Sequence, residues 1–231
     1  MAMRGVLSTL MLTTGVLLVA PVPAIAARNA TKAPSKCPHV AAGLLLAADT
    51  QAEVYYRPEG KNAHGSFQGA AIVGCDYARG LVYVLGDPSH SGPEGAGGVT
   101  DETLAGHMVA FEKSCIANDG ACSYEDVMVV DLRSNHIVHR QATFVPTAAT
   151  PTPAGGGESL PDLIVKEDGA VAWIGRTQGD PGHVEYEVVA LDSHGLRVLA
   201  YGPTVEPESL AVAGSTLYWS GGGHPAGAPL S

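Results

Sequence analysis

The chain has 231 residues, with 23 acidic side chains against 13 Lys and Arg and a formal net charge of −10. That balance excludes nucleic acid and anionic lipid as natural partners, because both need clustered cations to neutralise phosphate.

Residues 1–26 read as a secretory signal peptide, with one charge at Arg4, an apolar stretch from Val6 to Ala20 and a small-residue exit at Ala24-Ile25-Ala26. The apolar run is shorter than the ~20 residues a membrane span needs, and no later segment qualifies. The mature protein is therefore expected to be secreted and extracellular, with no span after signal cleavage. Residues 27–40 read as an N-terminal tail, and 41–231 as one repeat domain long enough to bury a real core.

A valine- or leucine-rich strand ending in an aromatic recurs four times in that domain: Val54-Tyr55-Tyr56, Val109-Ala110-Phe111, Val171-Ala172-Trp173 and Leu217-Tyr218-Trp219. Between these marks an apolar run enters a turn and leaves as another strand, as in Ile72-Val73-Gly74-Cys75-Asp76 before Leu81-Val82-Tyr83-Val84-Leu85. Turn chemistry separates the strands at Ala78-Arg79-Gly80, Glu167-Asp168-Gly169, Ser193-His194-Gly195 and Ala213-Gly214-Ser215. The pattern predicts an all-β fold, a small β-propeller-like array of about four blades of paired antiparallel hairpins. The blades span about 41–86, 103–144, 161–202 and 208–231, with strands A to D in each and the last blade incomplete. An open blade needs closing, most simply by the segment just after Cys37; otherwise the chain is a blade-completing homo-oligomer rather than a monomer. Tyr56, Phe111, Trp173 and Trp219 are assigned to packing between blades in preference to saccharide stacking.

Four cysteines in an exported chain point to two disulfides. Cys115 with Cys122 closes a short loop whose Asn118-Asp119-Gly120 turn brings the thiols together, and Cys37 with Cys75 follows by elimination, although three pairings are formally possible. Zinc is the alternative, but the Cys-x6-Cys spacing departs from structural zinc sites.

If strand A runs up, the A–B and C–D turns share one end of the array and the long connections share the other. The long segments are 58–66, 87–102, 115–123, 146–160, 176–183 and 203–208, of which 146–160 reads as a Gly- and Pro-rich linker. Asp101, Asp119 and Asp180 on that long-loop end are weak candidates for calcium, the one cofactor with any support, although no Asp-x-Asp-x-Asp-Gly loop is present. His64, His90 and His183 could converge there, whereas His136 and His139, three apart on a strand, point to opposite faces. No nucleophile elbow, His-Glu-x-x-His or phosphate loop is found, so no catalytic residue is assigned.

The segments Ala105-Gly106-His107-Met108-Val109-Ala110-Phe111, Asp168-Gly169-Ala170-Val171-Ala172-Trp173-Ile174 and Gly214-Ser215-Thr216-Leu217-Tyr218-Trp219 resemble the repeats of secreted actinobacterial-type proteins with WD40- or TolB-like β-propellers. The resemblance implies a fold and no catalytic residues. The expected function is a secreted, non-enzymatic binding or interaction module for a protein or carbohydrate ligand. The alternatives are an extracellular hydrolase or lyase using acidic and His side chains of the long-loop end, and a structural or assembly protein.

Overall fold

Strands that are apolar at nearly every position, such as Ile72-Val73-Gly74-Cys75 and Val127-Met128-Val129-Val130, are stable only with both faces covered. A computed structural model, describing residues 36–38, 44–61, 67–92, 95–117, 119–145, 160–178 and 184–231, shows what covers them. Sheet 1 contains β1 (Leu45–Ala48), β2 (Ala52–Arg57), β5 (Ala71–Asp76) and β6 (Leu81–Gly86) in that order, with a ribbon of β3 (Gly60–Lys61) and β4 (Phe67–Gln68) between β2 and β5. Sheet 2 contains β7 (His90–Gly92), β8 (Gly95–Ala105), β9 (Met108–Ala117), β10 (Ser123–Asp131) and β11 (His136–Ala142), again in simple sequence. Sheet 3 contains β12 (Asp162–Val165), β13 (Val171–Gln178), β14 (Val184–Asp192) and β15 (Gly195–Gly202), and sheet 4 contains β16 (Ala211–Ala213), β17 (Thr216–Gly221) and β18 (His224–Pro229). All pairing between neighbouring strands within these sheets is antiparallel, and no ring closure is seen among the described residues.

The sheets pack serially. Val54 and Ile72 of sheet 1 meet Val109, Phe111, Met128 and Leu132 of sheet 2 in the first core. The opposite face of sheet 2, Ala110, Val127 and Val129, meets Val171, Trp173 and Val189 of sheet 3. The far face of sheet 3, Ala172, Ile174 and Val188, then meets Leu217 and Trp219 of sheet 4. β8 of sheet 2 touches both β1 of sheet 1 and β12 of sheet 3. Each middle sheet thus buries both faces, which is why its central strands carry no polar alternation.

Register identifies the equivalent residues of the repeats. Phe111 lies opposite Met128, three residues before Asp131, and Trp173 lies opposite Val189, three before Asp192. In sheet 1 the residue opposite Val73, three before Asp76, is Tyr55. Tyr55 therefore holds the place of Phe111 and Trp173, and it is 5% exposed on the outer face with Val73, Cys75 and Cys37. Tyr56 points the other way, half-buried against the first core, while Phe111, Trp173 and Trp219 are 1%, 0% and 8% exposed within the three cores.

Cys37 is bonded to Cys75, and Cys115 to Cys122. The first bridge holds residues 36–38 on sheet 1, where Lys36 N donates to Tyr77 O at 3.3 Å. The described part of the segment around Cys37 therefore caps the outer face of the first sheet instead of completing the fourth. The expected connection at 87–102 is a second correction, because Gly95 onward is strand and the sheet extends through β7 and β8. Glycine disguised it as a loop. A Cβ at Gly95 would stand 2.2 Å from Ile116 O, and one at Gly98 2.6 Å from Ser89 Cα, so this ladder forms only without side chains.

Candidate ligand cleft at the tight-turn end

In sheets 1 to 3 the strand before the last, β5, β10 or β14, ends in an Asp that builds the following turn by accepting a backbone N–H, an arrangement short polar side chains favour. Asp76 Oδ1 accepts from Arg79 N at 3.0 Å, Asp131 Oδ1 from Arg133 N at 2.8 Å, and Asp192 Oδ1 from His194 N at 2.9 Å. Asp49 does the same for the β1–β2 turn, accepting from Gln51 N at 2.6 Å and Ala52 N at 3.1 Å, and its other oxygen accepts from Gly106 N of sheet 2. One carboxylate thus ties two neighbouring sheets.

Between these turns of sheets 1 and 2 lies a cleft of ≈ 400 Å³ lined by Lys36, Thr50, Gln51, Asp76, Tyr77, Ala78 and Arg133. Gly80 admits Lys36 to its wall: its φ is +67°, and a Cβ there would stand 2.6 Å from Lys36 Cβ. Tyr77 N donates to Gln51 O at 2.8 Å, and the Tyr77 hydroxyl donates to Glu53 Oε2 at 3.1 Å; burial and then the Glu53 charge push that phenol up to about 12. The Arg133 guanidinium contacts His107 Nδ1 at 3.2 Å, while Arg79 donates to Arg133 O at 2.8 Å. His107 Nε2 stands 3.8 Å from Asp131 Oδ1. Burial alone would raise Asp131, but hydrogen bonds from Ser134 and Arg133 and the nearby His107 hold it below the usual carboxylate range. Asp76 is 1% exposed and committed to its turn and the Tyr77 hydroxyl is donated to Glu53, so the other polar residues lining the cleft are Lys36, Thr50, Gln51 and Arg133. That donor set suits an anion.

A second cleft, of ≈ 410 Å³, is lined by His90, Gly92, Gly95, Ala96, Cys115, Ile116 and Ala117 along the unexpected β7–β8 extension. It is mostly apolar and bounded by the Cys115–Cys122 bridge.

Among the described residues, the candidates at the long-loop end do not gather. Asp101 sits at φ 58° in a bulge of β8 between Thr100↔Glu112 and Thr103↔Ala110. It is at least five strand residues, on the order of 17 Å, from the hairpin tip carrying Asp119. Asp119 Oδ1 accepts from Ala121 N at 2.9 Å, within its own turn. Asp180, His64 and His183 lie outside the described residues. Burial raises Asp101 and Glu102, and among the described residues no group of three His, Cys, Asp or Glu could hold a metal ion. His136 and His139 both lie on β11, where burial lowers His139.

Sequence reading missed the cleft because Lys36 lies in the tail and Arg133 in a turn, 97 positions apart by their numbers. The detectable signal was the repeated strand-end Asp, which marks where turns converge. No family model matches the chain, and no curated protein or solved structure matches it.

Proposed function

We propose that this chain is an exported, propeller-like module that acts by recognition rather than catalysis and takes a small anion in the cleft between the turns of sheets 1 and 2. The observation that carries the reading is the presence of Lys36 and Arg133 in one cleft of a chain whose net charge is −10. Asp76 in the lining and Asp49 and Asp131 of the adjoining turns accept backbone N–H groups, and Glu53 accepts the Tyr77 hydroxyl, so these carboxylates build the walls. Serial packing of small antiparallel sheets, with β8 in contact with β1 and β12, supports the propeller-like part of the reading, and two disulfides fit an oxidising compartment.

The test is calorimetric titration of the mature protein with inorganic phosphate and with citrate. Binding of either in the millimolar range or tighter is expected, weakened at least tenfold in Arg133→Ala and in Lys36→Ala. The reading fails if neither anion binds, or if both variants bind as the parent does.

A further inference from the structure

Beside the cleft between the turns of sheets 1 and 2 stands an imidazole with more claims on one nitrogen than it can meet. His107 follows Gly106 in the turn between β8 and β9. Its Nδ1 lies 3.2 Å from Arg133 Nη2 and 3.5 Å from Gln51 Oε1, and both of these residues line the cleft. A guanidinium only donates hydrogen bonds, and an amide oxygen only accepts them. Arg133 therefore needs Nδ1 without a proton, with the ring N–H on Nε2 towards Asp131 Oδ1, 3.8 Å away. Gln51 needs Nδ1–H. The two bonds exclude each other.

The number of protons on the ring decides between them. A neutral ring with Nε2–H accepts from Arg133 and holds the guanidinium on sheet 2. An imidazolium carries N–H at both nitrogens: one faces Asp131, the other is left for Gln51 Oε1, and the positive ring repels Arg133. The guanidinium is free to swing, because Arg133 is exposed while its backbone stays fixed by Asp131 and Arg79. Other charged groups surround this turn. From sheet 1, Asp49 accepts from Gly106 N; from sheet 3, Glu167 Cγ lies 3.1 Å from where a Cβ on Gly106 would stand. A second imidazole, His136 of β11, lies opposite Asp131 in the ladder.

We propose that His107 is a positioning residue that releases Arg133 into the cleft when it is protonated, so that the protein takes its anion more tightly as pH falls. The inference rests on the reading of this cleft as an anion site. With the ring neutral, an anion competes with His107 for Arg133. With the ring charged, that competition is gone, and one hydrogen bond no longer given up is worth on the order of fivefold in affinity. Coupling is reciprocal, so a bound anion that takes Arg133 also favours the ring state with Nδ1–H on Gln51.

The test is titration of the mature protein with sulfate, whose own charge is constant over the range, at about pH 8 and about pH 5.5 and at fixed ionic strength. Binding roughly fivefold tighter at the lower pH is expected, and His107→Ala should bind at the higher pH about as tightly as the parent does at the lower one. A variant that had merely lost support for the turn would bind more weakly. Nitrogen NMR of the parent's His107 ring should show Nδ1 unprotonated at the higher pH without sulfate, and protonated once sulfate saturates. Equal affinity at the two pH values overturns the switch and leaves the anion site standing. So does a pH dependence that survives in His107→Ala, which would assign it to another group such as His136, and so does an Nδ1 already protonated without sulfate. Absence of sulfate binding at both pH values also overturns the switch, and the phosphate and citrate titrations then decide whether the anion site falls with it.

Discussion

The two ends of the stack solve the same problem differently. Among the described residues no sheet precedes sheet 1, yet its outer face is closed: Tyr55, Val73 and Cys75 are 5%, 0% and 0% exposed, and Cys37 anchors the covering segment. Among the described residues no sheet lies beyond sheet 4, and Tyr218 is 43% exposed over small residues and prolines. The difference teaches how a serial stack stops. A terminal sheet bearing a large aromatic at the Phe111 position must have it covered, whereas one ending in alanine, glycine and proline exposes little apolar area and can be left bare.

Substitution of the aromatics gives the largest effects and shows where the stack is strongest. Trp173→Ala, in the middle joint, removes a fully buried ring and the Nε1–H donated to Thr143 O at 2.6 Å. It should cost about 5 kcal/mol, and Trp219→Ala, in the joint nearest the bare end, about 3 kcal/mol. Equal losses in chemical denaturation would mean that the open sheet is held as firmly as the interior ones, and the contrast between the ends would collapse.

Removing the cap comes next. Cys37 and Cys75 are separated by 38 residues and Cys115 and Cys122 by 7. Loop closure alone assigns roughly 4 kcal/mol to the first bridge and roughly 2.4 kcal/mol to the second. Cys37→Ser with Cys75→Ser should also expose the outer face of sheet 1, detectable as new binding of a hydrophobic dye below the melting transition. A double variant that loses stability without binding dye would show that the segment covers the sheet even without its tether.

The smallest effect concerns how sheet 4 is attached. Asp192 accepts from Ser231 N at 3.0 Å and from Arg197 Nη2 at 2.7 Å. Burial alone would raise this carboxyl, but the bonds from Ser231 and His194 and the Arg197 charge outweigh it and hold it below its ordinary value. A carboxyl depressed in the folded state contributes stability above its unfolded value, near pH 4, and loses it as pH falls through the lower folded value. Asp192→Asn should cost about 1–2 kcal/mol at neutral pH and progressively less below about pH 4. A pH-independent cost would assign Asp192 to turn geometry alone and leave the fourth sheet without its charged tie.

Much of this architecture was legible in the residues. Apolar runs such as Val188-Val189-Ala190-Leu191, the glycine and aspartate turns and the aromatic marks place most of the strands, because alternation and turn chemistry act over a few residues. The cysteine pairing was also accessible, since a short turn joins one pair and leaves the other. The phase of the first repeat was not. Val54-Tyr55-Tyr56 offers two adjacent tyrosines, and only the ladder that sets Ala52 opposite Asp76 shows Tyr55 to match Phe111.

Tertiary structure also decided that 95–102 is strand, since glycine reads as loop until Ile116 O and Ser89 Cα are found against it. It decided the cleft as well, by bringing a tail lysine and a turn arginine to one place. The sequence by itself determined which segments become strands and where they turn, because those depend on period and local backbone preference. Which segment covers a face was decided only when distant parts of the chain packed: Cys37 closes sheet 1, and nothing described closes sheet 4.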